Sequence, residues 1–502
     1  MKRSSYMELN LLSPNTELHN VVIGPQGLES RKGLYSKLNI EDVGVLTPRT
    51  GDGTQTSFVF GFSVESANTG EAFHYIFSLD SSNVLYQSIY NEQFECLSYS
   101  DIGKVNADLE PFSYAVNYNQ IIVNSRSLPY PLWGFVGGSL VKAEKVDSIN
   151  PDTPALTLFP GRVCSFADRF VWAYANQIII NDPGTEPRTI CAPNAVSFGG
   201  TVLDLFQSGE GGNLVVVCTD ATYQLPADGL AGYQYQGFIA RIPGYQGAKS
   251  NNAASARGST VGLVRDGIID IASFQKRSLT EYRRARKNAE LVGPYGSGDY
   301  RVGSILPLEE GFVVSINNKS AFIDLDTGKI SWAYSPNLEE MNIIGVFKDQ
   351  DGKDFFLTPT KVLEPITNYD IFDTPTDSIP DPERFEIQGH ILINVPSDPQ
   401  LSPVVREITV SGDRVGCEIT TYLRNSEQSA TIPPPPGAAN VVGTDVWSVD
   451  TNYLEKEYRS RRMQRAVRID SPDFEITFDR STKIDSTADI ITKGIGKRRP
   501  SN

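Results

Sequence analysis

Alternation of apolar and polar residues, interrupted by short turns, predicts β-hairpins along most of this chain. The clearest example is Ser165–Asn181, SFADRFVWAYANQIIIN, which reads as a strand, a tight turn and a returning strand. Phe170–Tyr174 and Gln177–Ile180 supply the β-favouring residues, and Ala175-Asn176 supplies the turn between them. The polar pair Asp168-Arg169 indicates a surface loop ahead of the first strand. Because so short a hairpin cannot bury both of its faces alone, it needs neighbouring strands.

Six further hairpins of the same kind supply such neighbours, each with a turn of Asn, Asp or Gly. They are Ala72–Phe77 with Val84–Ile89, Phe112–Val116 with Gln120–Val123, Asn213–Cys218 with Thr222–Leu225, Val261–Val264 with Ile268–Ala272, Gly311–Ile316 with Ala321–Leu325, and Ile343–Phe347 with Asp354–Leu357. They recur roughly every 30–55 residues, near the blade period of a propeller with insertions. A propeller removes most exposed sheet edges by closing its blades in a ring. A β-sandwich, which needs fewer and more evenly spaced strands, is the alternative.

We therefore predict an all-β fold, β-propeller-like with about six to seven blades, insertions and an additional C-terminal β region. The predicted parts are an extended N-terminal lead-in at 1–56, a propeller-like body at 57–364, a Pro- and Asp-rich linker at 365–384, a C-terminal β region at 385–480 and a basic flexible tail at 481–502. The C-terminal region either closes the propeller or forms a separate platform. It contains the stiff polyproline segment Pro433–Pro436. The one good helix candidate is Ser278–Leu291, where Ser278 and Glu281 form a capping box.

Composition agrees with a β-rich globular protein of 502 residues. Hydrophobic residues make up 40% and charged residues 21%, which is enough to bury a large core. The 24 Phe and 22 Tyr favour strands, and the 42 Gly and 31 Pro favour turns. The net charge of −15 argues against tight binding of nucleic acid over a broad surface. An acidic wall would instead repel passing DNA, although solubility alone also explains the charge.

The cysteines and the apolar segments of the sequence indicate the cellular compartment in which the protein is made. Five widely spaced cysteines without a CxxC motif predict reduced, mostly packed thiols in a protein made in a cytosol. The segment MKRSSYMELNLLSPN has no apolar core of a signal peptide. No apolar run approaches the ~20 residues of a membrane helix, so we predict no membrane-spanning segment.

Signals for catalysis or cofactors are weak. The three histidines, His19, His74 and His390, are widely separated and form no metal-binding motif. GxSxG, P-loop and GxGxxG patterns are absent from the sequence. The acidic segments 324–328 and 349–354 lack the twelfth-position glutamate of an EF-hand, and tight turns explain them. We predict no catalytic, cofactor-binding or metal-binding residues and no enzymatic activity.

Ala321–Trp332, AFIDLDTGKISW, has a strand, a Thr-Gly-Lys turn and a returning strand with Trp. It resembles a blade of quinoprotein-type and structural propellers. A single copy supports a blade but no quinone site.

Two basic clusters are unusual in so acidic a chain. Lys276–Lys287 holds six basic residues, including Arg283, Arg284 and Arg286, and the segment 457–465 includes Arg461 and Arg462. We predict that these arginines dock an acidic partner or brush against DNA phosphates. A solvated surface is the plain alternative for both clusters.

The order of features resembles the tail-hub, or nozzle, proteins of short-tailed bacteriophages, also called packaged-DNA stabilisation proteins. The residues that carry the resemblance are Gly27-Leu28 with Arg31–Leu34, the blade strand Asp168–Trp172, Leu214–Leu225, the Asp324…Gly328…Trp332 turn, and the Arg-rich region Arg461–Ile469. The resemblance covers most of the chain and lies in pattern and order.

This resemblance implies a propeller subunit of a homo-hexameric ring in the virion tail, assembled in the host cytoplasm. Such a ring lies below the portal and head-to-tail adaptor, retains packaged DNA, conducts it during ejection and carries tail fibres or spikes. Double-stranded DNA would pass through without sequence-specific binding. The alternative from another class is a carbohydrate-binding or carbohydrate-cleaving propeller, such as a phage adhesin or lyase. Acidic and aromatic residues converging on one face would favour it, and a cytosolic scaffold propeller is a third alternative.

Overall fold

Seven antiparallel groups of four strands form the blades of a propeller in the computed structural model of the protein: six are separate four-stranded sheets, and the seventh is part of a nine-stranded sheet. The structure describes residues 4–496 with gaps, the longest of which are 44–54, 149–160, 182–188, 227–238, 279–299, 333–341, 374–384, 433–445 and 451–472. Within the described part, two 3₁₀ turns at Ile40–Asp42 and Tyr300–Val302 are the helical elements. The predicted helix at 278–291 lies almost entirely outside the described residues, as does the polyproline segment.

Five strands precede the first blade. They are β1 (Ser4–Asn10), β2 (Thr16–His19), β3 (Val21–Gly24), β4 (Gly27–Ser30) and β5 (Leu34–Asn39).

Blade 1 contains β6 (Gln55–Glu65), β7 (Ala72–Asp80), β8 (Val84–Tyr90) and β9 (Cys96–Lys104). Blade 2 contains β10 (Ser113–Asn117), β11 (Gln120–Asn124), β12 (Leu132–Phe135) and β13 (Val141–Lys142). The short strands β14 (Asp147–Ser148) and β18 (Thr189–Ile190) pair with each other outside the blades. Blade 3 contains β15 (Val163–Phe166), β16 (Arg169–Tyr174), β17 (Gln177–Ile180) and β19 (Ala195–Ser197).

Blade 4 contains β20 (Val202–Gln207), β21 (Leu214–Cys218), β22 (Thr222–Leu225) and β23 (Ala240–Ile242). Blade 5 contains β24 (Ala253–Ala256), β25 (Ser259–Val264), β26 (Gly267–Asp270) and β27 (Lys276–Ser278). Blade 6 contains β28 (Ser304–Pro307), β29 (Gly311–Ile316), β30 (Lys319–Asp324) and β31 (Ile330–Trp332). Blade 7 contains β32 (Gly345–Lys348), β33 (Asp354–Leu357) and β34 (Lys361–Pro365), and its fourth strand is β5.

The remaining strands belong to the C-terminal part of the chain. They are β35 (Phe372–Asp373), β36 (Phe385–Glu386), β37 (Gly389–Asn394), β38 (Leu401–Gly412), β39 (Cys417–Arg424), β40 (Ser429–Ile432), β41 (Val446–Asp450), β42 (Asp473–Phe478) and β43 (Lys483–Gly496).

The predicted all-β propeller is confirmed, with seven blades. Each of the seven predicted hairpins corresponds to one antiparallel strand pair, and each pair falls in a different blade. The Ala321–Trp332 motif is also a strand pair, with Ala321 opposite Trp332. Local signals were sufficient here because each hairpin joins strands that are close in sequence.

Hydrophobic clusters fill the seven seams between neighbouring blades. One seam, between blades 3 and 4, buries Val171, Ile178, Val202 and Leu214 among other side chains. Comparable clusters occupy each of the other six seams. From blade 2 through blade 7 and on to blade 1, the first strand of each blade contacts the first strand of the next. The core is therefore a ring of interfaces, so each blade depends on both of its neighbours for burial.

Strand β5 closes this ring. It is the outer strand of blade 7, and a bulge at Lys37 shifts its register against β34. Successive strand residues point to opposite faces, so the extra residue changes the face of everything beyond it. As a result Leu34 enters the seam between blades 6 and 7, while Leu38 enters the seam between blades 7 and 1. The segment 1–56, expected to be an extended lead-in, thus supplies a strand to the propeller.

A second β region joins the propeller through blade 6. Strand β31 pairs in parallel with β2, and the same sheet continues through β37, β42, β39 and β40 to give nine strands. A further sheet pairs the long strands β38 and β43 with β1, β4 and β41. Both ends of the chain therefore build this region.

The prediction of a flexible tail at 481–502 is wrong for residues 483–496. These residues form β43, which lies between β38 and the N-terminal strands β1 and β4. The basic residues at the end of the segment hid the β-pattern of KIDSTADIITKGIG, whose partners are β38 and, at the other end of the chain, β1 and β4.

The blades give the propeller two different ends. We call the end with the first-to-second and third-to-fourth strand turns the turn end, which includes Tyr118-Asn119 and Val136–Leu140 of blade 2. We call the opposite end, with the second-to-third turns and the links between blades, the connection end. The connection from β27 of blade 5 to blade 6 leaves at the connection end.

Truncating Leu38 to alanine tests the ring closure. We expect Leu38→Ala to lower the free energy of unfolding by about 2–5 kcal/mol, because the side chain is buried in the seam between blades 7 and 1. The control is Lys37→Ala on the same strand, whose ammonium pairs with Glu364 at 2.9 Å and is exposed. It should cost about 0–1 kcal/mol. Urea unfolding measures both, and a Leu38→Ala protein as stable as the wild type would contradict the closure.

Candidate functional site

The arginines predicted to dock a partner, Arg283, Arg284, Arg286, Arg461 and Arg462, lie outside the described residues. The first group nevertheless has a defined origin. The described strand β27 ends at Ser278, at the connection end of blade 5, and Tyr300 resumes at the start of blade 6. The Arg-rich segment therefore lies, in chain order, between these two blades.

Hydrogen bonds around the axis hold the connection end together. Arg162 Nε lies 3.4 Å from Asp204 Oδ1 and links blade 3 to blade 4, while Arg162 donates to the Phe112 carbonyl of blade 2 at 3.0 Å. Asp204 Oδ1 also accepts from the Asn251 N–H at 2.9 Å, just before blade 5. Asn252 then donates to the carbonyls of Arg301 and Gly303 before blade 6. This chain of contacts spans five blades.

Asp204 is the buried carboxylate of this chain of contacts, with 1% of its surface exposed. Burial raises the pKa of Asp204, while Arg162 and the backbone N–H groups of Asn251 and Asn252 act in the opposite direction. A bulge in β20 between Val202 and Asp204 shifts the pairing with β21 by one residue, and this shift sets the face of the sheet on which the Asp204 carboxyl lies. The side chains of this network make their polar contacts with neighbouring blades, which indicates a structural role.

The described histidine and cysteine side chains of the propeller are buried separately and do not form a metal-binding or catalytic group. His74 is buried against the rings of Phe94 and Phe355, and its Nδ1 lies 2.6 Å from Ser63 Oγ. Burial raises the pKa of both Cys164 and Cys218 to about 12, which keeps these thiols protonated. No group of three or more potential metal ligands lies among the described residues, and no helix there is long and apolar enough to cross a membrane.

The fold does bring two histidines together that are far apart in sequence. Strands β2 and β37 pair with His19 opposite His390. Sequence reasoning missed this pairing because it joins the two ends of the chain.

Exposed apolar residues concentrate at the turn end of blades 1 and 2. Tyr118 is 60% exposed, Phe135 52%, Val141 55% and Leu97 50%. We call these four residues the apolar surface. Val141 pairs with Trp133, whose ring meets that of Phe135 at 5.5 Å, and Gln120 beside Tyr118 pairs with Phe135. Ser98, next to Leu97, hydrogen-bonds Ser139 at 2.9 Å and so ties blade 1 to the outer turn of blade 2.

Buried contacts hold this surface rigid. Tyr75 accepts a hydrogen bond from the Gly137 N–H at 2.9 Å and donates to the Gly138 carbonyl at 3.1 Å. Its ring stacks on Phe62, and burial raises the pKa of Tyr75 to about 12. The turn after Phe135 is thus fixed to the core of blade 1, so Phe135 is held in the solvent rather than folded inward.

Acidic residues flank the apolar surface on the blade 1 side. Glu65, Glu71, Glu92 and Glu95 are exposed in the two turns at this end of blade 1. The Ala72 N–H donates to Glu92 Oε1 at 3.4 Å, which brings the second of these turns beside the first. No lysine or arginine occurs between Arg49 and Lys104, so blade 1 carries neither before the last position of its outer strand. Sequence reasoning overlooked this long gap in basic residues, which was readable beforehand.

Comparisons with known proteins do not assign this chain to a family. No protein-family model matches it, and no curated protein matches it. Solved structures with similar folds include the extracellular domains of a putative one component system and a putative hybrid two component system from B. thetaiotaomicron. The identities are 9% and 10% and the TM-scores 0.43 and 0.42, over 86% of this chain in both cases. The chain spans 57% and 60% of the length of these proteins.

A third structure, YCF48 bound to D1 peptide, has 12% identity and a TM-score of 0.35. The match covers 64% of this chain and 97% of that one. At these TM-scores the likenesses carry no argument about what this chain does.

The pH dependence of stability tests the burial of Asp204. The pKa of Asp204 is higher in the folded protein than in the unfolded chain, where it is near 3.8. Its contribution to the free energy of unfolding is therefore full below pH 3.8 and declines as the pH rises towards the folded-state pKa. We expect the wild type to lose stability relative to Asp204→Asn as the pH rises above about 4, because the carboxyl group ionises more readily in the unfolded chain and the amide does not titrate. Urea unfolding at several pH values measures this, with the exposed Asp168→Asn as control. A constant difference between wild type and Asp204→Asn would contradict the burial effect.

Proposed function

We propose that this chain is a structural subunit of a bacteriophage tail, forming a ring-shaped hub or nozzle below the portal and adaptor. In this proposal it retains packaged DNA, conducts it during ejection and anchors tail fibres or spikes. The ring is a homo-hexamer in the virion tail, assembled in the host cytoplasm, and the protein is not an enzyme. The order of sequence features that resembles nozzle proteins is the starting point.

The structural observation that supports the proposal is the unbroken nine-stranded sheet between blade 6 and the second β region. Backbone hydrogen bonds run from β30 to β31, across to β2 and on to β37. A continuous sheet couples two parts more firmly than a linker does, because moving one part against the other disrupts the backbone pairing of β2 with β31 and β37. Such a connection suits a subunit that holds position in a pressurised assembly, where relative movement of its parts would open the channel.

The charge distribution is also compatible with this role. The net charge of −15 disfavours adhesion of DNA to the channel wall. The predicted arginine clusters remain candidates for docking adaptor, portal or neighbouring subunits.

One observation favours the carbohydrate alternative. Tyr118 and Phe135 at the turn end lie beside the exposed glutamates of blade 1, and aromatic rings with carboxylates are a common way to hold sugars. However, these residues lie on the outer part of two blades rather than around the axis.

Native mass spectrometry of the full chain, alone and mixed with candidate adaptor or portal proteins, tests the proposal. We expect a species of six times the 55.2 kDa chain mass, alone or on the partner. A monomer under all conditions, together with competable glycan binding or hydrolytic turnover, would contradict it and support the carbohydrate alternative.

A further inference from the structure

Two guanidinium groups lie close together at the connection end of the propeller axis. Arg126 Nη2 donates to the Val202 carbonyl at 3.3 Å, and Arg162 Nε lies 3.4 Å from Asp204 Oδ1, so both groups reach the beginning of β20. A side chain at Gly161, the residue before Arg162, would meet Arg126 Nε at 3.4 Å. Two like charges are therefore held as neighbours, which costs free energy unless negative charge offsets them.

A third cation reaches the same strand from the start of blade 5. Lys249 donates to the Val302 carbonyl, and two residues further on the Asn251 N–H donates to Asp204 Oδ1 at 2.9 Å. Partial burial lowers the pKa of Lys249, while the charge of Asp204 acts in the opposite direction. Cations from blade 2, from blade 3 and from the start of blade 5 thus converge on the first strand of blade 4.

The carboxylates that contact these cations do not balance them. Asp204 is already engaged by Arg162 and by the Asn251 N–H. Glu110 Oε2 lies 4.0 Å from Arg126 Nη1, and 48% and 42% of the two side chains are exposed, so this ion pair contributes little. The three cations and two carboxylates leave an excess of positive charge in a chain whose net charge is −15. Such a local excess that reaches solvent attracts anions to this point of the surface.

Arg126 and Lys249 also have N–H groups available for a ligand. A guanidinium carries five N–H groups and an ammonium three, whereas each of these side chains makes one hydrogen bond within the described part of the chain, to a backbone carbonyl. Both residues are exposed. A phosphate group has several acceptor oxygens and more than one negative charge as a monoester, so it accepts from a guanidinium and an ammonium together. A carboxylate has fewer oxygens and a single charge, and would match these donors less well.

We propose that Arg126 and Lys249, with Arg162 beside them, bind a phosphate group at the connection end of the propeller axis. The bound group bridges blade 2 to the start of blade 5 and adds a link to the contacts that already span five blades. This inference goes beyond the proposed tail function and does not depend on it. The phosphate is either a free ion or monoester, or a phosphate of the DNA backbone, and the experiment separates these sources.

Isothermal titration calorimetry of the full chain at low salt tests the site. The three probes are inorganic phosphate, AMP and a DNA duplex without terminal phosphates. We expect Arg126→Gln and Lys249→Gln each to weaken binding by about 10-fold or more, because a hydrogen bond to a charged group is lost. Glutamine keeps an N–H donor for the backbone carbonyl while it removes the charge. Added sodium chloride should weaken wild-type binding, because salt screens the attraction.

Arg241→Gln is the matched control. Arg241 lies on the outer strand of blade 4, 4.0 Å from Asp220 Oδ2, and its side chain is 59% exposed. Its substitution removes the same charge away from the axis and should leave the affinity within about twofold of the wild type. Urea unfolding gives a second measurement, because a ligand that binds the native state stabilises it. Phosphate should raise the wild-type midpoint above that in sodium chloride of equal ionic strength, but not the midpoint of the Arg126→Gln, Lys249→Gln double variant.

The outcomes separate the site from the proposed function. Binding of inorganic phosphate or AMP that both variants weaken, and Arg241→Gln does not, supports the site with a free phosphate or monoester as its ligand. The same pattern with the duplex alone supports the site with the DNA backbone as its ligand. If no probe binds the folded wild type, or if Arg241→Gln loses as much affinity as the other variants, the proposal is overturned and these residues only join blades. Sedimentation velocity of the same samples gives the oligomeric state separately, so failure of the site and failure of the ring are distinguishable.

Discussion

Ring closure is the constraint on which the rest of this structure depends. Seven blades bury their apolar faces only against each other, so a gap at any seam exposes two hydrophobic faces at once. The seam clusters beside blade 7 are completed by β5, a strand from the other end of the chain. Its bulge at Lys37 sends Leu34 and Leu38 into different seams, so one short strand secures both sides of the last blade.

The termini do more than close the ring. Strand β2 extends blade 6 outwards, and β1 and β4 pair with β43 near the C-terminus, so the first thirty residues bind the propeller to the second β region. Pairing between distant parts of a chain is slow to form but makes opening of either part costly. A protein built this way resists separation of its parts, which is the property that a structural subunit needs.

The sequence predicted the hairpins, whose strands are neighbours along the chain, but not the strand pairs formed between distant parts of the chain. The hairpins were predictable because Asn, Asp and Gly turns join adjacent strands, as at Ala175-Asn176. The role of β5, the strand at 483–496 and the pairing of His19 with His390 were not, because each pairs with strands outside its own hairpin and, for all three, with the opposite end of the chain. The apolar surface was unpredictable for the same reason, since Leu97 and Phe135 belong to different blades, whose outer strands are joined by the Ser98–Ser139 hydrogen bond only in the folded protein. The arginine clusters remain predictions.

Hydrogen exchange of the native protein tests most directly whether the N-terminal strands are integral to the ring. The account predicts that amides of Leu34–Asn39 are as protected as those of Asp354–Leu357, and that both sets lose protection together as urea is added. Rapid exchange of Leu34–Asn39 while Asp354–Leu357 stays protected would show that the ring closes without its terminal strand, and would contradict the account.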